Sequence, residues 1–452
     1  MRTNGRGSST SEAGQVLVQL DVSSIQNGLD RRHADCPEYF RYEADRQRIV
    51  RTIQNGSGRE TESFVDAVLT GRDPQDADQA TLGAAFDLAW LRSRRAPASA
   101  DAGQAVRCVD LFSGLGGMSL GVAEAARALG RPFELVWAAD IFDHARTTLA
   151  TNHAPTRKPF RHPIERLLDG EIGQPLSPRE RVLKRALGPI DVLVGGPPCQ
   201  GHSDLNNHTR RNDPKNALML RMVRAAEVLE PTHVIIENVP GVARDHSRVM
   251  ESTIAQLEQI ERLGYRTDAG VVKAERLGVA QTRHRMLVVA SEGTTPSLEA
   301  TVDRMEVPER PFEWACGDLG AVPGSGYDST GVAAPATKKR IEWLFAEPGR
   351  FDLPNHLRPK CHQKPHRYVS VYGRMWPNRP AGTITTGFMV MGQGRFVHPN
   401  EPRTLTPHEG ARLQFLPDWV VIPKRNRKDY GTLIGNAVPP KVSYAVTLGL
   451  LV

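Results

Sequence analysis

Cysteine is scarce in this chain, with five in 452 residues at positions 36, 108, 199, 316 and 361. An odd number of widely scattered cysteines excludes a disulfide framework and a paired zinc knuckle. The stretch CHQKPH (Cys361, His362, His366) offers half of a metal site with no second half in view, so no metal is expected. Aromatic residues make up only 6% of the chain. A run of about 18 apolar residues, the length a membrane helix needs, is absent. The opening MRTNGRGSSTSEAGQ lacks the apolar core of a signal peptide. These absences predict a soluble, cytoplasmic protein with no membrane contact.

What the chain does have is loop-forming residues and positive charge. It carries 40 glycines, 33 prolines and a formal net charge of +7, with a pI near 9.2. The length allows two or three domains with a sizeable core. The basic balance suits a polyanionic partner. Basic residues are dense at 208–216 (HTRRNDPKN), 282–285 (TRHR), 338–340 (KKR) and 423–428 (PKRNRK). One such run is usually a solvated face; these matter because of the motifs beside them.

Residues 1–15 are small, polar and aperiodic, which predicts disorder. From about 35 to 95 the apolar spacing of ESFVDAVLTG and ATLGAAFDLAWLRSRR predicts helices, and RRAPASADAGQ (94–104) reads as a linker. From Val106 strands and helices alternate: strands at 106–112, 134–139, 190–194, 232–236 and 285–290, and helices from about 117 and at 143–151, 216–229 and 247–263. This alternation predicts an α/β fold with a parallel sheet covered on both faces. From about 291 to 402 it stops, and a smaller loop-rich lobe is expected. TPHEGARLQFLP then starts as a capped helix, and VPPKVSYAVTLGLLV ends the chain as an apolar one.

Three strand ends carry candidate chemistry. In DVLVGGPPCQGHSD (191–204) an apolar strand stops at Gly195 and Gly196, and Pro197 and Pro198 restrict the loop that presents Cys199. That geometry suits a nucleophile, although a buried structural role is the commoner fate of a cysteine. In VDLFSGLGGMSLG (109–121) glycines at a strand-to-helix turn let the backbone approach a ligand, without the GxGxxG spacing of a dinucleotide site. WAAD then places Asp140 at the next strand end, where it either binds ribose hydroxyls or caps the following helix. Together the two predict an adenosine-containing cofactor without a pyrophosphate. HVIIENVPG (233–241) sets Glu237 at a neighbouring strand end, in one crevice with Cys199. A thiolate and a carboxylic acid together suit addition to an electron-poor ring, and a helix-capping role is the alternative for Glu237. In QTRHR (281–285) alternation puts Gln281, Arg283 and Arg285 on one side, either to orient a phosphate or base carbonyl or as an exposed basic strand.

These residues resemble the DNA (cytosine-5) methyltransferases. Six segments stand in that family's order: DLFSGLGG, GGPPCQG, ENV, QTRHR, RTLTPHEGARLQFLPD and GNAVPP, covering about 106–300 and 403–452. The resemblance implies a Rossmann-like methyltransferase fold using S-adenosylmethionine. It assigns the cofactor to Phe112, Ser113, Gly114, Gly116, Gly117, Asp140, Ile141, Pro197, Asn436 and Val438. It makes Cys199 the nucleophile toward cytosine C6 and Glu237 the partner of N3 and the amino group, with Arg283 and Arg285 anchoring the base and the catalytic loop. Gln200, Ser203, Arg210, Arg211, Lys215, Gln281 and Thr383 are the implied DNA contacts. Residues 1–104 form an extension, 105–300 the catalytic domain, 301–402 the target-recognition domain and 403–452 the return to the catalytic domain.

The chain departs from the family pattern at His202, where Phe is usual, and at Pro163, where an Asp near the adenine is frequent. The expected substrate is double-stranded DNA, flipped at the target base, and the expected state is a monomer. A restriction endonuclease or a defence-system partner is compatible with this reading. An RNA cytosine-5 methyltransferase and a non-catalytic DNA-binding regulator on the same fold are the alternatives.

Overall fold

Three short runs, VRCVDL, VLVG and HVIIEN, supply strands that are almost wholly buried, as expected where helices cover both faces of a sheet. The structure is a computed structural model, and it describes residues 17–25, 36–54, 58, 60–71, 77–100, 103–198, 218–244, 248–322, 326–363 and 370–452. Cys199, Gln200, His202, Ser203, Arg210, Arg211, Lys215 and the tail 1–15 lie outside the described residues.

The N-terminal part comprises β1 (Val18–Asp21), α1 (Val22–Ile25), β2 (Glu38–Glu43), β3 (Arg48–Gln54), β4 (Glu60–Thr70) and α2 (Gln79–Arg92). Its four strands form a sheet in the order β1-β4-β3-β2. This corrects the helical reading of about 35–95 at 38–43, 48–54 and 60–70, which are strands. Val65, Ala67 and Leu69 alternate inward at period two, while Phe64 lies on the outer face under the Arg48 guanidinium at 4.6 Å. An outward aromatic shielded by an arginine breaks the alternation and imitates helical spacing. The helix α2 is where the sequence places it, and it is buried from Ala80 to Leu91.

The central part follows as β5 (Val106–Leu111), α3 (Gly117–Ala128), β6 (Phe133–Ala139), α4 (Asp143–His153), α5 (Pro178–Leu187), β7 (Val192–Gly195), α6 (Leu218–Leu229), β8 (His233–Asn238), α7 (Val249–Glu258), β9 (Tyr265–Lys273), β10 (Gln281–Thr282) and β11 (His284–Glu292). Six of these strands form a sheet in the order β6-β5-β7-β8-β11-β9. β5, β6, β7 and β8 are mutually parallel where they pair, and β11 runs against both β8 and β9. The expected all-parallel sheet is therefore mixed. The strand β9, which the sequence pattern does not announce, makes β11 its antiparallel partner. A Ser177–Glu180 capping box with Pro178 in the first turn starts α5.

The remainder comprises α8 (Leu298–Arg304), α9 (Phe312–Cys316), α10 (Pro335–Phe345), β12 (Ala381–Gly382), α11 (Pro407–Leu413), α12 (Arg427–Asn436) and α13 (Pro440–Leu451). The Thr406–Glu409 capping box that opens α11 is the one its sequence predicts. Residues 301–402 do not share one core. Phe312, Ile384, Phe388 and Phe396 join the large apolar cluster around α2, α3 and α13, while Ile341, Leu344, Leu353, Met391 and Val397 form a small cluster of their own. No helix of the described residues is long and apolar enough to cross a membrane.

Candidate active site

The strand order reverses between β5 and β7, and a crevice opens there at the carboxyl ends of the parallel strands. It is a cavity of about 300 Å³, reached by the turns after β5, β6, β7 and β8. Of the cofactor residues expected from sequence, it brings together Phe112, Ser113, Gly114, Gly117, Asp140, Ile141, Pro197, Asn436 and Val438. Gly116 is not among the lining residues. It turns the chain at φ 93°, and a Cβ there would press into the His153 ring.

Two structural devices shape the glycine-rich turn. Phe112 and Gly114 both adopt left-handed conformations, at φ 57° and 55°, so the backbone folds back at the cavity edge. Gly117 opens α3 with its backbone against the Val438 carbonyl, which a Cβ would overlap. Asp140 holds the turn from the other side. Its Oδ2 accepts the Gly114 N–H at 2.9 Å and its Oδ1 the Phe142 N–H at 2.8 Å. Asp140 is therefore both a loop clasp and a cavity wall, and each oxygen keeps a lone pair for a ligand. Burial raises its carboxyl above the usual range, and these two N–H groups offset part of the rise.

Asp110 has no assigned role in the sequence reading, although it stands inside DLFSGLGG. It is 1% exposed, lines the cavity and accepts a hydrogen bond from Ser119 Oγ on Oδ2. Its Oδ1, together with Ser113 Oγ and His144 Nε2, is buried without a hydrogen-bond partner among the described residues. Burial pushes the Asp110 carboxyl up to about 7. Three buried polar atoms without described partners, on residues that line one cavity, fit a polar ligand that supplies their hydrogen bonds.

The second half of the site joins β8 to β11. Glu237 is the penultimate residue of β8 and is 9% exposed. Arg285 Nε lies 2.7 Å from its Oε1, and both residues line the cavity. A Cβ at Gly196 would stand 3.0 Å from Glu237 Oε2, so the turn that leads to Cys199 passes directly against this carboxylate.

The QTRHR alternation is present, and its side chains do work that sequence does not reveal. Gln281 is fully buried: its Nε2 donates to the Leu413 carbonyl at 2.5 Å, and its Oε1 accepts from Ile384 N at 2.9 Å. That corrects its expected DNA contact, because a side chain without exposed surface meets no DNA. Arg283 donates to the carbonyls of Ile384, Gly435 and Ala437 at 2.9, 3.2 and 2.9 Å. Its guanidinium fixes the Asn436–Val438 wall, and Arg283 also lines the cavity. Thr383, half-buried, donates to the Thr282 carbonyl at 2.6 Å beside the β10–β12 pair.

A doubly wound sheet, a cavity at its reversal point and an acidic residue after the second strand define an α/β enzyme of the nucleoside-cofactor class. A family model, C-5 cytosine-specific DNA methylase, matches residues 106–450. The chain is 43% identical over 404 residues to the Type II methyltransferase M1.BsuMI of Bacillus subtilis (strain 168), covering 88% of this chain and 92% of that protein. It is 30% identical over 356 residues to the Type II methyltransferase M1.HphI of Haemophilus parahaemolyticus, covering 76% of this chain and 86% of that protein. A crystal structure of a DNA modification methyltransferase encoded within an E. coli prophage shares the fold, with a TM-score of 0.53 at 24% identity over 76% of this chain and 98% of that one. The chain belongs to the C-5 cytosine-specific DNA methylases, enzymes that transfer a methyl group from S-adenosylmethionine to cytosine in DNA.

Proposed function

We propose that the chain is a Type II modification enzyme. It methylates C5 of a cytosine within one double-stranded DNA sequence, as a cytoplasmic monomer beside a restriction endonuclease or another defence partner. The observation that carries the reading is the Arg285–Glu237 pair at 2.7 Å, set in the cavity against the turn that leads to Cys199.

The cavity residues suit S-adenosylmethionine. Asp140 and the turn at Gly114 would hold the ribose. Asp110, Ser113 and the Asn436–Val438 wall would hold the methionine end, where buried acceptors meet a cationic ligand. Bound there, the cofactor supplies a methyl group activated on a sulfonium.

Cytosine C5 is a poor nucleophile until the ring is activated. In our reading the Cys199 thiolate adds to C6 while Glu237, oriented by Arg285, favours protonation at N3, so electron density moves to C5. C5 takes the methyl group as the methyl–sulfur bond breaks to leave the cofactor a neutral thioether, and the C5 proton leaves to water. Cys199 departs as thiolate, N3 returns its proton, and the ring is aromatic again. The stacked base must first be flipped out at a cost of a few kcal/mol. Gln200, Ser203, Arg210, Arg211 and Lys215 are proposed to hold the displaced strand, and residues 301–402 with Thr383 to read the sequence. Within that segment arginines pack on aromatic rings. Arg350 lies over Trp343 at 4.3 Å, Arg374 over Phe345 at 4.0 Å and Arg379 over Trp376 at 5.0 Å.

The test is nucleoside mass spectrometry with base-resolution mapping on plasmid DNA from a host lacking cytosine methylation, expressing the chain or its Cys199→Ala variant. 5-Methylcytosine at one recurring sequence, present only with the native chain, is the expected result. Unmodified DNA from a folded native chain overturns the reading.

A further inference from the structure

The N-terminal part lies before the segment that the family model matches, residues 106–450, yet its polar side chains are buried among the helices that carry the cavity. Arg51 on β3 is 1% exposed. Its Nη2 pairs with Glu124 on α3 at 2.8 Å, its Nη1 donates to Tyr444 Oη on α13 at 3.1 Å, and its Nε donates to Ser63 Oγ at 3.1 Å. Tyr444 Oη in turn donates to Glu38 Oε1 on β2 at 2.5 Å. A second buried link joins Asp87 on α2 to Lys441 on α13, Oδ1 to Nζ, at 2.6 Å. Trp90 on α2 donates to Glu124 Oε2 at 3.2 Å. Burial alone would raise the Glu124 carboxyl, but the Arg127 and Arg51 guanidiniums bring it down to about 2.

The two helices gripped in this way form one side of the cavity. α3 begins at Gly117 and α13 begins two residues after Val438, both cavity residues. Their backbones touch along the seam: a Cβ at Gly117 would overlap the Val438 carbonyl, and one at Gly121 the Pro440 carbonyl and the Tyr444 nitrogen. With Gly117 and Gly121 set against backbone, and Ser443 Oγ packed at Gly121 and bonded to the Met118 and Pro440 carbonyls, the seam has little room to absorb a shift. Any change in the separation of α3 and α13 is therefore passed to the Gly117–Val438 wall. Charged groups that have lost their water hold only where their partners stand, so the Arg51 and Asp87 links fix that separation more sharply than apolar packing would.

We infer that the N-terminal unit, β1–β4 with α2, is a clamp that sets the cofactor cavity, with Arg51 and Asp87 as its positioning residues. The inference rests on reading the cavity as the S-adenosylmethionine site. Coupling between sites is reciprocal, so a clamp that improves cofactor binding must itself be tightened by the cofactor.

The experiment uses the full chain. Hydrogen exchange with and without S-adenosylmethionine should show slowed exchange in the 112–117 turn and, beyond any change in the reference helix α10, in β3, β4 and α2. Calorimetric titration of folded Asp87→Asn and Arg51→Met should show cofactor Kd raised at least about fivefold. KM for the cofactor should rise in parallel with kcat nearly unchanged, and Arg51→Lys should recover part of the loss. Absence of protection at 112–117, with Asp140→Ala binding as the native chain does, sinks the cavity reading. Protection at 112–117 without any in β3, β4 and α2, or native Kd in a folded Asp87→Asn, overturns the clamp alone. Where the variants do not fold, the exchange measurement on the native chain decides.

Discussion

Arg285 reaches Glu237 because β11 runs antiparallel to β8, with Leu287 opposite Glu237 and Arg285 two residues earlier on the same face. A parallel β11 would carry that arginine to the far end of the sheet. The pair holds the carboxylate where a ring nitrogen would meet it. Glu237→Gln should therefore lower kcat by roughly 10²-fold or more. Arg285→Leu should do damage of the same order, and the double variant should be little worse than either single one, since residues acting as a unit are not additive. Additive losses in steady-state kinetics would separate the two roles.

Cys199→Ala should abolish methyl transfer while leaving the fold and cofactor binding intact, because it removes one sulfur and the turns after β5, β6 and β8 supply most of the cavity lining. Circular dichroism and cofactor titration check the fold, and tritium transfer from labelled cofactor checks turnover. Normal turnover in this variant would remove the covalent step.

Asp110 supplies a pH signature. Burial raises its carboxyl from 3.8 to about 7, so its favourable contribution is complete below about pH 4 and is lost as the pH climbs through 7. In Asp110→Asn that titration is gone. Without cofactor, the variant's Tm relative to the native chain should move in the variant's favour between pH 5 and pH 8 by a few degrees, equivalent to on the order of a few kcal/mol at most. Scanning calorimetry across that range measures it, and a flat difference would mean that Asp110 does not titrate there.

Gly117→Ala should weaken cofactor binding by about tenfold or more, since its Cβ meets backbone rather than a yielding side chain. Gly270→Ala is the control: its nearest neighbour would be Leu298 Cδ1 at 3.9 Å. Equal affinities in the two variants would disconnect the seam from the cavity.

Much of the catalytic half is legible because its strands are short apolar runs ended by glycine, proline or an acidic residue. Those punctuation marks place Phe112, Asp140, Pro197 and Glu237 at strand ends from local residue order alone. Asp110 is harder to read, because a carboxylate inside an apolar strand carries no local sign of being buried. Gln281 misleads for a related reason: a polar side chain in a basic run looks solvent-facing until the backbone carbonyls it satisfies are known.

What the sequence determined by itself was the alternation of strands and helices from β5 to β8, the glycine-rich turn and the carboxylate near the end of β8, because each is written in residues adjacent along the chain. What tertiary structure decided was the reversal of β11, which brings Arg285 to Glu237. It also decided the strand character of 60–70 and the burial of Arg51 between α3 and α13. These depend on contacts between residues far apart in the chain, where pairing and desolvation outweigh local preference.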